Sequence, residues 1–247
     1  MANIIRFDSH PALQEPYFIE ALPGIGNVGK IAGDFLAEAA KAVKFASIYS
    51  EDLPPQVIPD ENCVIKMASN ELWDGNLGGR DVVFLRGESQ GISSEGQFGL
   101  AQDVVAILLK LNVKRIITLG GYGTGAMVDE PRVFGAVSDA KLKPELTRYG
   151  VTFEPNEPQA GIIGAAGLLV GLGQIYGVDS FCLMGETSGY FIDYKSAKAV
   201  VAALVRMFGT DVDLKTLEEK SAQLDELTSK VKEAAGKEQD HDLSYIG

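Results

Sequence analysis

Short apolar runs rich in Val, Ile and Phe alternate with longer stretches of helical periodicity along most of this chain, and that alternation is the strongest limit on its fold. Tyr17 to Leu22 reads as a strand, Val28 to Lys41 as a helix and Val43 to Tyr49 as a second strand. The order recurs at Asp81 to Arg86, Gln97 to Leu111 and Arg115 to Leu119, and again at Val178 to Met184 followed by Lys195 to Phe208. Strands separated by helices need crossover connections, which run the strands parallel and lay the helices on the sheet faces. The expectation is an α/β domain over residues 1–209 with a mostly parallel central sheet. Cys63 to Trp73 reads as an added strand or a hairpin strand, closed by Asp74-Gly75. Residues 120–159 are loop-rich, with a short helix near Leu142 to Tyr149, and form the region where such a fold builds its rim.

The pattern changes after Gly209. From Asp213 to Ala235, Leu214, Leu217, Leu224, Leu227 and Val231 recur at helical spacing among charged and polar residues, which predicts an amphipathic helix within 210–236. Its one apolar face can fold back on the domain or pair with a neighbouring subunit. A tail, 237–247, follows. Leu243, Tyr245 and Ile246 are unusual in a terminal segment, where polar residues prevail, and point to a docking peptide ending in Gly247.

With 247 residues, 46% of them hydrophobic, the chain can bury a sizeable core. A net charge of −12 opposes binding to a polyanion, so nucleic acid is not expected as a partner. Cys63 and Cys182 each lie in an apolar strand-like run and read as buried free thiols of a cytoplasmic protein. The first residues lack the basic and apolar regions of a signal peptide. Gly161 to Gly173, the longest uncharged apolar run, is too short to span a bilayer.

Residues 22–30, Leu-Pro-Gly-Ile-Gly-Asn-Val-Gly-Lys, carry Gly24, Gly26 and Gly29 in the G-x-G-x-x-G frame between a strand and a helix, with Glu51 about twenty residues further on where a dinucleotide site places its ribose acid. Pro23 removes an N–H at the turn, and a tight strand-to-helix turn accounts for the same glycines. Leu119 to Gly125 and Leu183 to Gly189 read as two further glycine loops after strands. Gly121, Gly123, Thr124, Arg132, Glu186 and Thr187 would join the first three glycines in a possible ligand rim at the strand carboxyl ends. Lys30 follows a glycine, but Ile31 stands where a P-loop needs a hydroxyl for magnesium.

Other chemistry finds no support. Gly87-Glu88-Ser89-Gln90-Gly91 matches a nucleophile elbow, yet the helix begins late, at Ser94 and Glu95, and the only histidines are His10 and His241. No His or Cys pair has metal-ligand spacing. The carboxylates at Glu51, Asp52, Asp60 and Glu61 read as a solvated acidic loop. No catalytic residue, metal or cofactor is therefore expected.

Leu22 to Lys30, Gly96 to Phe98, Thr118 to Gly125 with Pro131 to Phe134, Gly161 to Gly173 and Gly185 to Tyr190 together resemble the PAC2 family of proteasome assembly chaperones, particularly its archaeal members. The resemblance covers about Tyr17 to Phe208. It implies a three-layer αβα fold like that of purine nucleoside phosphorylases, no catalysis, and a homo-oligomer, a trimer or larger, that helps 20S proteasome α-subunits assemble. It also implies docking through a terminal hydrophobic-Tyr-any motif. Here Tyr245 is third from the end and follows Ser244, which moves the terminal carboxylate by about 3.5 Å. The alternative is a nucleotide-binding or ATP-dependent ligase-type enzyme using the glycine-rich strand-end loops, with Gly24, Gly26 and Gly29 on phosphate and Glu51 or Glu186 on ribose; a ligase of that kind needs paired lysines and magnesium-binding acids, and the residues show no such set.

Overall fold

In the computed structural model, which describes residues 3–224, the chain divides into two units, Met1–Val212 and Asp213–Gly247. The first begins with β1 (Ile4–Phe7), β2 (Tyr17–Ala21), α1 (Val28–Ala39) and β3 (Val43–Tyr49). A two-stranded excursion, β4 (Val57–Pro59) with β5 (Ile65–Met67), leads to the hairpin of β6 (Asn70–Leu77) and β7 (Arg80–Gly87). Then come α2 (Ser94–Lys110), β8 (Arg115–Gly123), β9 (Val133–Val137), α3 (Lys143–Arg148), β10 (Val151–Thr152), α4 (Ala165–Ile175), β11 (Ser180–Thr187) and α5 (Tyr194–Phe208).

Nine strands form one sheet in the order β1-β3-β6-β7-β2-β8-β11-β9-β10. The expected mostly parallel sheet is corrected to a mixed one. Only β7-β2-β8-β11 form a continuous parallel block. The β6–β7 hairpin reverses direction beside it, and β9 runs antiparallel to β11 on the other side. Both reversals arise where two strands, β6 and β7 or β8 and β9, follow one another without an α-helix between them. The hairpin turns at Gly78 and Gly79, both at positive φ, and not at Asp74-Gly75, which lie within β6.

Helices cover both faces. α1 packs beside α5 and α2 beside α4. Residue parity sets the two sides: Gly33 of α1 approaches the Leu119 side chain, while Gly173 of α4 approaches that of Ile116 on the opposite face of β8. The central strands are buried on both faces, which is why they read as continuous apolar runs. The larger core cluster joins Phe18, Val83, Leu85 and Ile116 of the sheet to Leu100, Val104 and Leu108 of α2 and Leu169 of α4. The start of α2 is fixed by Ser93, whose hydroxyl accepts from the Gly96 N–H at 3.0 Å.

One expectation fails locally. Cys182 is buried, but Cys63 is exposed at φ +61 in the β4–β5 turn, because its apolar neighbours form a surface excursion and not a core strand. The apolar run Gly161 to Gly173 supplies most of α4. In the second unit, residues 215–224 are helical, with the Lys215 N–H donating to Asp213 Oδ1 at 2.9 Å. The remainder of the 210–236 helix, and the tail with Leu243, Tyr245, Ile246 and Gly247, lie outside the described residues. Among the described residues, no helix is long and apolar enough to cross a membrane.

Candidate functional site

β2 ends at Ala21, and Leu22-Pro23 carry the chain to Gly24 and a 3-10 turn, Ile25–Asn27, before α1. Gly26 sits at φ +61, with Thr187 Oγ1 3.0 Å from the place of a Cβ. A Cβ on Gly29 would overlap the Leu119 carbonyl oxygen, so this glycine lets α1 lie against β8. Around Gly24 a Cβ would meet nothing within 4 Å among the described residues. Two of the three glycines are thus accounted for by packing. Glu51 follows β3, which is separated from β2 by β6 and β7, about 14 Å at ordinary strand spacing.

The two later glycine loops are strand. β8 continues to Gly123 and β11 to Thr187, paired in parallel register from Met184↔Gly120 to Thr187↔Gly123. Gly121 has the Ile25 carbonyl directly over it, so the turn before α1 packs onto bare backbone.

At the carboxyl ends of β2, β8 and β11, on the α2/α4 side, a cavity of about 650 Å³ opens beneath residues 157–164. Gly24, Gly121 and Gly123 of the expected rim line it. Gly26, Gly29, Thr124, Arg132, Glu186 and Thr187 are not among its lining residues. Arg132 holds Glu186 through Nη2 to Oε1 at 3.0 Å and Nε to Oε2 at 3.1 Å, which keeps the Glu186 carboxyl below its ordinary value. Thr187 Oγ1 donates to Asp193 Oδ2 at 2.7 Å, and the Thr124 N–H donates to the Thr187 carbonyl at 2.8 Å. Lys30 is engaged with Asp34, Glu88 and the Gly87 carbonyl. The acidic loop is split: Asp52 accepts from the Ser93 N–H ahead of α2, and Asp60 accepts from Asn62 and Val64 in its own turn.

The cavity floor is polar. Glu20 is 1% exposed; its Oε1 accepts from the Leu22 N–H at 2.9 Å and its Oε2 from the Leu119 N–H at 3.3 Å. Burial pushes its carboxyl up to about 7, against the opposing pull of those two bonds. Glu20 pairs across β2–β8 with Thr118, and Thr118 pairs across β8–β11 with Cys182, so three polar side chains form one row across the parallel block. The Cys182 thiol is pushed up to about 12 by burial, which makes it inert as a nucleophile. At the mouth, Tyr122 donates to Glu157 Oε2 at 2.8 Å, and that bond raises the phenol. Gln90 ties two walls together, donating to the Pro23 carbonyl at 2.6 Å and accepting from the Ala165 N–H at 2.9 Å.

Sequence reasoning missed Glu20, Gln90 and Glu157. A signal for Glu20 existed: it is the one charged residue in Tyr17–Ala21, a strand otherwise apolar from end to end.

The PAC2 family model matches residues 18–232. The uncharacterized protein MJ1210 of Methanocaldococcus jannaschii is 31% identical over 244 residues, covering 95% of this chain and 93% of that protein. Among solved structures, Pyrococcus furiosus PbaB, an archaeal proteasome activator, superposes with a TM-score of 0.87 at 33% identity, covering 93% of this chain and 98% of its own. Pyrococcus furiosus PbaA, an archaeal homolog of proteasome-assembly chaperone, shares the fold with a TM-score of 0.77 at 24% identity, covering 96% of this chain and 100% of its own.

Proposed function

The chain belongs to the PAC2 family, and from that premise we propose that it is a cytoplasmic, non-catalytic proteasome assembly chaperone homologue that binds 20S α-subunits. The near end-to-end likeness to an archaeal proteasome activator at 33% identity carries this reading. In it, the α/β body is a rigid platform that presents the helix within 210–236 and the tail 237–247. Leu243, Tyr245, Ile246 and Gly247 are the residues that dock on the α-subunits.

The platform is a homo-oligomer of three or more copies. In support, α4 carries no charged residue, and Ile163, two residues before it, and Ile175, its last residue, are 80% and 76% exposed. An apolar face of this kind is stabilised by a second protein surface. The nucleotide-using alternative is not favoured by any observation: the cavity at the strand ends has no basic lining residue among those described, so nothing there offsets phosphate charge.

Co-purification of the full chain with 20S α-subunits, beside a variant lacking residues 242–247, tests the proposal. Retention by the full chain and loss with the deletion is expected. Failure of the full chain to retain α-subunits would remove the function, and undiminished retention by the deletion would remove the tail from it.

A further inference from the structure

The proposed docking through the tail makes no use of the cavity over Glu20, whose chemistry suits a different ligand. At about 650 Å³ it falls within the size range of small-molecule sites. It exists because β8 presents Gly120 on this face, where a side chain would otherwise fill the strand end, and because residues 157–164 arch over it. Most of the wall is apolar: Leu22, Ile162, Ala166 and Met184 contribute to it.

The charged groups in that wall are of one sign. Glu20 stands at the floor and Glu157 at the mouth, and no lysine, arginine or histidine is among the described lining residues. Glu157 is satisfied by the Tyr122 hydroxyl and by the Gln159 N–H and side-chain amide. Glu20 accepts only two backbone bonds, which leaves half of the roughly four acceptor positions of a carboxylate unused. The elements packed around it bring Thr118 from β8, Cys182 from β11, Gln97 from α2 and the uncharged α4, so none supplies a countercharge. A buried carboxylate facing an apolar space is stabilised by a cation that enters with its own apolar body. The overall charge of −12 further concentrates cations at the surface.

We propose that this cavity is a binding site for a small organic cation, a primary ammonium carried on an apolar body, with Glu20 as its anchor and the Tyr122–Glu157 pair closing the mouth. Anionic ligands are disfavoured, since they would meet the Glu157 carboxylate, the Glu20 carboxyl and no basic partner.

Titration calorimetry and NMR chemical-shift mapping on the full chain, with phenethylamine and hexylamine as probes and phenethyl alcohol and phenylacetate as neutral and anionic counterparts, test this. The amines are expected to bind at least about tenfold tighter than the alcohol, with shifts at Leu22, Ile162 and Ala166, and phenylacetate is expected not to bind. Glu20→Gln should abolish the preference for amine over alcohol while keeping the circular dichroism of the parent. Gly120→Leu provides an independent route, because a Cβ there meets only Met184 Cγ, at 3.8 Å, and the longer side chain projects into the cavity; it should lose amine and alcohol alike. Equal binding of amine and alcohol, an amine preference that survives either substitution, or no shift at cavity residues with either amine at about 10 mM would overturn the proposal.

Discussion

Gly29 lies so close to the carbonyl group of Leu119 that a Cβ on it would overlap the oxygen and sit 2.7 Å from the carbon. This approach binds α1 to the central strand β8 and explains the last glycine of the G-x-G-x-x-G frame without any phosphate. Backbone cannot yield as a side-chain tip can, so Gly29→Ala should force α1 outward and destabilise the domain by about 1–3 kcal/mol. Gly24→Ala, at an open and extended position, should change the unfolding midpoint little. Chemical denaturation of the two variants checks the contrast, and equal losses would break the packing account of this motif.

Arg115 at the start of β8 meets Glu145 of α3 in a two-pronged ion pair, Nη1 to Oε1 at 2.7 Å and Nη2 to Oε2 at 2.8 Å. The bond holds the Glu145 carboxyl below its ordinary value. A lowered carboxylate adds stability above its unfolded-state value, and the gain disappears as pH falls through the folded one. Arg115→Met should therefore cost about 1 kcal/mol at neutral pH, a figure reduced for partial exposure. The cost should shrink towards zero below the ordinary carboxylate range. Thermal unfolding of both proteins at pH 7 and pH 3 gives the comparison.

Glu20 has the opposite sign. Its folded value of about 7 lies above the 4.5 of an exposed glutamate, so the folded state holds a proton that the unfolded chain has released between those two pH values. Stability from this group is complete below about 4.5 and lost as pH rises through about 7, a change on the order of 3 kcal/mol. Glu20→Gln cannot titrate and should be flat over the same interval. Unfolding midpoints at pH 5 and pH 8 should show the parent losing ground relative to the variant; parallel trends would mean that the carboxyl is not buried as described.

Much of the parallel block was readable because its strands are buried on both faces and so appear as unbroken apolar runs between helical patterns: Tyr17–Ala21 and Arg80–Gly87 match their expected bounds to within one residue, as does the helix Tyr194–Phe208. The reversals were hidden, because a strand's direction depends on its connection and not on its own residues. β6 alternates like any half-buried strand, and only the Gly78-Gly79 turn, misplaced to Asp74-Gly75, tells that it folds back on β7. Glycines misled in a related way. At Gly120 to Gly123 they suggest a loop, yet they serve a strand whose face must stay bare for the Ile25 carbonyl and for the cavity. The rim reading takes Arg132 and Glu186 as polar groups able to converge on a ligand; in the fold each is the other's partner, and spacing in a sequence cannot separate pairing from convergence on a ligand.

Tyr122 is the fastening between β8 and residues 157–164. Its hydroxyl reaches Glu157 Oε2 at 2.8 Å, while Glu157 also accepts from the Gln159 N–H at 3.2 Å and from its side-chain amide at 3.2 Å, so the loop's own turn is joined to the sheet through one carboxylate. Tyr122→Phe keeps the ring, which lies 4.5 Å from that of Phe134, and removes only the hydroxyl. The core beneath is untouched, so the unfolding midpoint should move little. Loops with few buried contacts open at low free energy, and the loss of one charge-assisted bond should raise their opening constant about tenfold. Amide hydrogen exchange across residues 157–164 should accelerate by that factor, with the amides of β2 and β8 unchanged. An unaltered exchange rate would show that the arch over the cavity is held by its own backbone and not by this tyrosine.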